Sequence, residues 1–526
     1  MLQNSKCFMI PDTMTLDEIH AQVAEVGHFR EEPPKSRNRI FFDSFDWRLY
    51  HAGLLLEEES VERERWLCCY ELESGRLIDR LRPEDDPRFT WDFAESPFQK
   101  RLVPILEMRA LLPQVQVRTE TRLLRLLNHD DKTVLRLAIE EHSVRPSKGV
   151  AYQPLSRQLR LLPVRGYLKA PARMDKILTA AGLELEPPHL LTKALAALGR
   201  QAGDYSSKLN FKLNPVERSD TVARQISLQL LRTLELNVPG TRADLDSEFL
   251  HDLRVAVRRT RSALSRFKGV FPEADVDFFK DGFSWIGCIT GPTRDIDVYL
   301  LGFESYRQSL PESCRADLEP LHHYLQAHHK IEQQMLARKL NSPHFRKLLK
   351  NWREFLEAPP AEQEELPNAA KPIDLLANQQ IYRMYRLALK EGLAIGPDSP
   401  PEALHDLRKS CKKLRYLMEF FQSLYPKQEI RAQIKVLKQL LDTLGDFQDL
   451  EVQADKLREF ARDMVQEGKA PSDTLLAMGM LVDRLLQRQQ QARQAFANSF
   501  APLVTEERQR AFGALFADGK VKLRTV

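Results

Sequence analysis

The sequence predicts an α+β chain of two domains, an antiparallel β domain followed by an all-α domain. With 526 residues, the chain exceeds what one hydrophobic core usually spans. From about 38 to 170, short runs rich in β-branched and aromatic residues are separated by charged or Pro/Gly-bearing turns. From about 215 onward, apolar residues recur with a helical period almost everywhere.

The first of these regions contains four clear strand segments, RIFFDSF, RWLCCYEL, VQVRTETRLLRLL and TVLRLAIEEHSV. Two helical segments, MDKILTAAGLEL and LTKALAALGRQAG, follow them. We therefore expect a β-rich domain over 1–200 and a helical domain over 210–515. The Pro/Glu-rich segment at 357–374 predicts a surface linker between helical halves of about 210–356 and 375–515.

Composition narrows the class of protein. Hydrophobic residues at 43%, charged residues at 29% and a net charge of +4 are typical of an ordinary soluble protein. The six cysteines contain no C-x-x-C pair, so we expect no disulfide framework, no metal site and a cytoplasmic location. No signal peptide, membrane span, Walker-type phosphate loop or G-x-S-x-G motif is found, and we expect no cofactor and no catalytic residue.

An eleven-residue phrase occurs twice, as HDLRVAVRRTR at 251–261 and as HDLRKSCKKLR at 405–415. The two copies lie 154 residues apart, and a later Phe-Pro/Tyr-Pro pair and a glycine keep the same offset. Over 48 aligned positions, ten residues are identical. This constant register predicts a duplicated helical unit, in which each copy has a helix before the phrase, the phrase helix, a helix after the Pro and a final helix.

On a helical wheel, each phrase has an apolar side and a cationic side. The histidine and the cations at positions +3, +7 and +10 share a stripe about 80° wide. Further basic residues flank the stripe or form a pair on the helix after the second Pro. The candidate anion-binding residues are His251, Arg254, Arg258, Arg259, Arg261, His405, Arg408, Lys412, Lys413, Arg415, Lys435 and Lys438.

The stripes suit a long external anion. Like charges at i,i+3 and i,i+4 weaken an isolated helix, and the only acids within the phrases are Asp252 and Asp406. One stripe extends roughly 15 Å, enough to contact several phosphates in a row, and arginine matches phosphate oxygens with two parallel hydrogen bonds. The histidines have two possible roles: a pH-sensitive contact to phosphate, or capping and packing near the helix start.

At these residues the sequence resembles the conserved histidine α-helical domain, abbreviated CHAD. The resemblance rests on H-x-x-R-x-x-x-R/K-R/K-x-R occurring twice, each time followed by G-x-x-x-D-x-D/E-V, and it covers about 210–510. It implies a pair of four-helix bundles related by a pseudo-twofold axis, with basic helices facing a central groove. It also implies binding of inorganic polyphosphate and association with polyphosphate granules.

The segment RIFFDSFDWRLYHAGLLLEEES at 39–60 resembles a passage of the CYTH family, the triphosphate tunnel metalloenzymes. Where that family has phosphate-binding arginines after the glycine, this chain has Glu57, Glu58 and Glu59, and an N-terminal E-x-E-x-K motif is absent. The resemblance therefore implies a tunnel-like or barrel-like fold that has lost its metal and phosphate ligands. We expect this domain to be degenerate and noncatalytic.

Two other functions remain open from the sequence. The chain could be a triphosphatase or polyphosphatase whose metal ligands are not recognised. It could also bind nucleic acid through the same basic surface, although Tyr416 is the only aromatic residue on either cationic face. We expect no membrane partner, and the sequence does not identify a protein partner.

Overall fold

The computed structural model describes residues 6–61, 64–146, 149–185, 190–209, 211–359 and 366–516. The chain divides into two compact units, Met1–Ser206 and Ser207–Val526. The first is built on an antiparallel sheet and the second is helical, which confirms the predicted fold class. The assignment of residues 1–200 and 210–515 to domains of particular families stays a prediction. The tunnel-like shape expected for the β domain also stays a prediction.

A single ten-stranded sheet forms the first unit. Its strands are β1 Cys7–Ile10, β2 Phe29–Glu31, β3 Lys35–Asp43, β4 Leu54–Val61, β5 Glu64–Glu71, β6 Leu77–Leu81, β7 Leu112–Leu127, β8 Thr133–Arg145, β9 Gln153–Pro163 and β10 Glu184–Leu185. They pair antiparallel in the order β10-β1-β9-β8-β7-β3-β4-β5-β6, and β2 also pairs with β7. Each of the four strand segments expected from the sequence lies in this sheet.

Short helices cover parts of this sheet. They are α1 Leu16–Ala24, α2 Arg48–His51, α3 Pro97–Leu106, α4 Lys169–Ala180 and α5 Leu191–Ala197. Apolar side chains of α1 and α4 pack on β1, β7, β8 and β9, and those of α3 pack on β4 and β5. Because neighbouring residues of a strand point to opposite faces, Arg37 and Arg39 of β3 share one face of the sheet with Glu57 and Glu59 of β4, and Glu58 lies on the other face.

The second unit contains eleven α-helices among the described residues. They are α6 Ser219–Arg242, α7 Ser247–Arg266, α8 Glu273–Ile289, α9 Gly291–Ser309, α10 Glu319–Leu340, α11 Pro343–Glu357, α12 Ile373–Leu393, α13 Pro401–Phe421, α14 Lys427–Gln466, α15 Ser472–Val504 and α16 Glu506–Phe516. The expected linker lies between α11 and α12, and part of it, 360–365, is outside the described residues.

Two hydrophobic cores stabilise the helical unit, and both include helices from each sequence half. The larger core contains buried residues of α6, α7, α8, α11, α12, α13 and α16 together with parts of α10, α14 and α15. The smaller core joins α9 and α10 to the second part of α14 and the first part of α15. Neither half therefore buries its apolar surface by itself, and the internal repeat remains a prediction from the sequence.

The two halves differ at the end of the aligned stretch. In the first half, α8 ends at Ile289 and α9 begins at Gly291, with Pro292 in its first turn. In the second half, the corresponding residues belong to the continuous helix α14. Proline lacks an N–H donor and clashes with the preceding turn, so Pro292 accounts for the break, whereas the aligned position 446 is an aspartate.

Candidate functional site

Each repeated phrase lies within one helix, and its histidine is the fifth residue of that helix. The N-cap of α7 is Asp246, whose carboxylate accepts hydrogen bonds from the backbone N–H groups of Glu248 and Phe249. The N-cap position of α13 is Pro400, which makes no side-chain hydrogen bond. Neither His251 nor His405 is the N-cap residue of its helix, and their roles near the helix starts stay a prediction.

The helices α7 and α13 pack directly against each other along their apolar sides. The ring of Phe267 lies 5.8 Å from that of Phe421 and 6.3 Å from that of Phe420. Apolar residues that the wheel placed opposite the cations are buried, including Leu253 and Leu407. This packing brings the basic sides of the two helices into the same region of the unit.

Two of the predicted site residues contact the same acid, and one of these contacts joins the two helices. Arg259 of α7 contacts Glu419 of α13 at 3.1 Å and donates to the carbonyl of Ser207. Arg415 approaches the other oxygen of the same carboxylate at 3.5 Å. Both guanidinium groups also lie near the ring of Tyr416, which is buried. Arg259 and Arg415 therefore have an internal counter-charge, and Tyr416 is not available for stacking on a ligand.

Arg254 and Arg408 occupy corresponding positions but have different partners. Arg254 donates to the carbonyl of Gly287 at 3.2 Å and to the hydroxyl of Thr290 at 2.8 Å. Arg408 contacts both oxygens of Asp449 at 3.0 Å. Burial, and then the charge of Arg258, lowers the pKa of Arg254. Only the second-half arginine is neutralised by an acid.

No ion pair within the described residues involves three of the predicted cations, which are Arg258, Arg261 and Lys412. Other cations, including Arg415, lie close to them. Burial lowers the pKa of Lys412 to about 8, and the charges of Arg408, Arg258 and Arg415 add to this effect while Asp449 opposes it. Since Arg258 belongs to α7, its effect on Lys412 shows that the two stripes are adjacent. These residues form an uncompensated cationic cluster.

The other predicted cations lie outside this cluster or at its periphery. Burial lowers the pKa of Lys413, and its charged neighbours include Arg266 and Glu391, which places it on the side of α13 that faces α12. Lys435 and Lys438 are exposed near the start of α14 and form no ion pair with any residue that the structure describes. The assignment of all twelve residues to a binding site stays a prediction.

Three residues that contact the stripe were missed by the sequence analysis. Glu419 links the phrase helices, Gln448 accepts a 2.6 Å hydrogen bond from Arg408, and Arg294 donates to the ring of His251 at 3.1 Å. The sequence could have indicated Glu419, because it follows Arg415 by four residues, the spacing at which opposite charges pair on a helix. Arg294 and Gln448 are aligned in the repeat, and their difference in charge could have indicated that the halves are not equivalent.

In the β unit, the acids of β4 are neutralised by arginines from other strands. Arg39 contacts Glu57 at 2.6 Å, and both side chains are buried. Arg37 bridges Glu59 and Glu140, each at 3.2 Å. A further arginine, Arg160 of β9, contacts Glu140 at 2.7 Å. Arg37 and Arg160 thus connect Glu59 and Glu140 in one chain of ion pairs, and Arg39 of the neighbouring pair also interacts electrostatically with these two glutamates.

Buried polar groups next to this network are also held in place. Burial raises the pKa of Glu57, against the charge of Arg39, and lowers the pKa of His142 to about 4. The ring of His142 lies within hydrogen-bond distance of Thr119 and Gln158. In the described part of the chain, no three His, Cys, Asp or Glu side chains lie close enough together to hold a metal ion.

The fold and the site define a two-unit protein in which a helical unit presents a cationic cluster between two basic helices. Residues 225–458, which lie within the helical unit, match the model of the CHAD domain. No curated protein matches the chain significantly. None of the described helices is both long and apolar enough to cross a membrane.

Several solved structures are similar to parts of the chain. The CHAD domain from the plant Ricinus communis is 24% identical, with a TM-score of 0.46, and the match covers 58% of this chain and 96% of that one. PptA from Streptomyces chartreusis is 16% identical, with a TM-score of 0.42, and the match covers 54% of this chain and 99% of PptA. A third structure is the putative adenylyl cyclase HpAC1 from Hippeastrum, which has a dominant triphosphatase activity. It is 11% identical, with a TM-score of 0.26, and the match covers 37% of this chain and 95% of HpAC1.

Proposed function

We propose that the helical unit binds inorganic polyphosphate along the basic sides of α7 and α13. The observation that carries this proposal is the uncompensated cluster of Arg258, Arg261 and Lys412. Arg258 and Arg261 are exposed and Lys412 is half-buried, and like charges close together repel one another, so an external anion that binds there would stabilise them. Burial and the neighbouring arginines lower the pKa of Lys412 although Asp449 raises it, which supports binding of a further anion at this position.

The geometry favours a polymer over a single phosphate. From Arg254 to Arg261, the stripe of α7 extends roughly 10 Å along the helix axis, and α13 contributes a second, adjacent stripe. A linear chain of phosphates could contact both stripes at several points, whereas orthophosphate could contact one or two cations. The CHAD family is linked to polyphosphate binding, which supports the same ligand, and we propose that binding targets the protein to polyphosphate granules.

The paired cations have a different role in this proposal. Arg259 joins α7 to α13 through Glu419, which Arg415 of α13 also contacts, and Arg408 is held by Asp449. They shape the groove and contribute to its field, while Arg258, Arg261 and Lys412 provide the charge that the ligand neutralises. Variants of the first group are expected to affect folding as well as binding.

Retention of long-chain polyphosphate by the full chain tests the proposal. The triple variant R258Q/R261Q/K412Q should lose at least about 100-fold in affinity, since each charge-assisted contact contributes on the order of 1.5–3 kcal/mol. A matched control is R346Q/K347Q/K350Q, which removes the same number of cations from the exposed side of α11. Circular dichroism checks that both variants keep their helices. Equal retention by the two triple variants would refute the proposed site.

Competition separates polyphosphate from nucleic acid. Recognition of single-stranded nucleic acid uses aromatic side chains on which bases stack, and Tyr416 is buried between two arginines. Long-chain polyphosphate should therefore displace a bound probe at much lower phosphate concentration than tRNA or ATP does. If tRNA competed equally well per phosphate, nucleic acid would become the preferred ligand.

We propose that the β unit is a degenerate, noncatalytic relative of the triphosphate tunnel enzymes. The arginines of its ion-pair network already have carboxylate partners, so they are not available to hold triphosphate. The full chain should release no phosphate from triphosphate in the presence of Mg²⁺ or Mn²⁺. Release that is abolished by E57Q/E59Q would overturn this interpretation and establish an enzyme.

A further inference from the structure

The first turn of α9 brings an additional cation to the stripe of α7. Arg294 donates from Nη2 to Nδ1 of His251 at 3.1 Å, and its Nη1 lies 3.5 Å from the carbonyl oxygen of Ser247. Its charge is one of those that lower the pKa of Arg254. Arg294 is thus close to the anion-binding stripe, although it belongs to a different helix.

The contact between Arg294 and His251 determines the state of the imidazole. A guanidinium group has only hydrogen-bond donors, so Nδ1 of His251 must be the acceptor. An accepting Nδ1 carries no proton, which leaves the proton of the neutral ring on Nε2. While this bond is present, His251 is not the charged phosphate donor that the sequence analysis considered.

The charge of Arg294 is only weakly compensated. Its closest acid is Asp297, whose Oδ2 is 4.0 Å from Nη1. The other oxygen of Asp297 accepts from His329 at 2.8 Å, and this hydrogen bond raises the pKa of His329. Asp297 therefore interacts more closely with His329 than with Arg294, and Asp295 is a second acid whose charge interacts with Arg294.

The second half has no counterpart to this pair. Gln448 aligns with Arg294, and it accepts a hydrogen bond from Arg408 at 2.6 Å. His405 aligns with His251, and no hydrogen bond from its ring is found in the described part of the chain. The two histidines therefore have equivalent positions along their helices but different surroundings.

We propose that Arg294 is a further phosphate-binding residue of the groove and that His251 is its positioning residue. The inference rests on the proposed binding of polyphosphate. It adds a cation to the first half at a position where the second half has Gln448, and it assigns His251 an indirect role, in which the ring directs a guanidinium group toward the ligand.

Amide substitutions separate the two possible roles of His251. Asparagine places its oxygen where Nδ1 lies and can still accept from Arg294, whereas glutamine reaches the position of Nε2. We expect R294Q to weaken retention of long-chain polyphosphate about tenfold and H251Q to cause a similar loss. H251N should retain most of the affinity. The double variant R294Q/H251Q should be no weaker than R294Q, because both changes remove the same contact.

Matched variants make the result specific to this pair. R307Q removes an equal charge from the last turn of α9, where Arg307 pairs with Glu304, and should bind like the wild type. H405N and H405Q should not differ from each other, since no arginine is bound to that ring. The inference would be overturned if R294Q bound like R307Q, or if H251N lost as much affinity as H251Q.

A measurement without ligand distinguishes failure of this inference from failure of the proposed function. In the free protein, the nitrogen chemical shifts of labelled His251 should show an unprotonated Nδ1 and a protonated Nε2, and R294Q should change them. A charged ring or a protonated Nδ1 would refute the pair even if the wild type binds polyphosphate. A wild type that fails to retain polyphosphate would refute the proposed function and, with it, the ligand role of Arg294.

Discussion

We expect Lys412 to make the proposed polyphosphate binding dependent on pH in a range where most lysines do not titrate. Its pKa in the free protein is about 8, below the ordinary 10.5, because burial and then the charges of Arg408, Arg258 and Arg415 oppose protonation. A bound polyanion supplies the missing counter-charge and should return this pKa toward its ordinary value. Binding is then linked to proton uptake above pH 8.

The expected magnitude follows from these two pKa values. At pH 7 about nine tenths of the free protein carries a charged Lys412, and at pH 9 about one tenth does. If Lys412 is charged in the complex at both pH values, affinity should fall about tenfold between pH 7 and pH 9. Fluorescence anisotropy with labelled long-chain polyphosphate at constant ionic strength would measure this change.

Two substitutions provide the controls. K412R keeps a charge at every pH used, because arginine does not deprotonate in this range, so its affinity should stay nearly constant. K413R, one residue away and on a different side of α13, should show the same loss as the wild type. A constant wild-type affinity from pH 7 to pH 9, or the same tenfold loss in K412R, would refute the reasoning.

Three further predictions concern stability. K412M should raise the free energy of unfolding at pH 7 by on the order of 1 kcal/mol. The reason is that the pKa of Lys412 is lower in the folded chain than in the unfolded chain, so its charge opposes folding below pH 8. Thermal denaturation should show that the gain disappears above pH 10.5. R39M should destabilise the β unit by about 3–5 kcal/mol in urea denaturation, because it leaves Glu57 buried without its partner. The double variant R39M/E57M should recover most of this loss. A double variant that is as unstable as R39M would argue against a buried ion pair. W352A should lower the free energy of unfolding of the helical unit by about 3–5 kcal/mol in urea denaturation, since Trp352 is fully buried against Phe279 and Phe283. A loss below about 1 kcal/mol would contradict this packing.

The sequence was sufficient to predict the fold class and the two-sided character of the phrase helices. Strand alternation and helical periodicity are local properties, and residues such as Leu253 and Leu407 are buried as the wheel predicts. The repeated spacing of the cations also required no tertiary information. It correctly placed Arg258 and Lys412 on the basic sides of their helices, and their interaction shows that these sides are adjacent.

The sequence could not show how the two halves pack. The constant offset suggested that each half is a unit, yet both cores contain helices from the two halves. The aligned final helices also differ, because a single proline divides the first-half segment into α8 and α9 while α14 continues without a break. A pattern of apolar positions indicates which side of a helix is buried, but it does not identify the helix that covers it.

By itself, the sequence determined which residues carry charge and on which side of each helix that charge lies. Only the tertiary structure decided which cations have partners. Arg259 meets Glu419 across 160 residues of chain, and Arg294 meets His251 across 43. Coulomb energies and desolvation depend on distance in space and on burial, and neither quantity is encoded in local spacing. The structure thus distinguishes Arg259, Arg408 and Arg415, which contact internal acids, from Arg258, Arg261 and Lys412, which make no ion pair among the described residues.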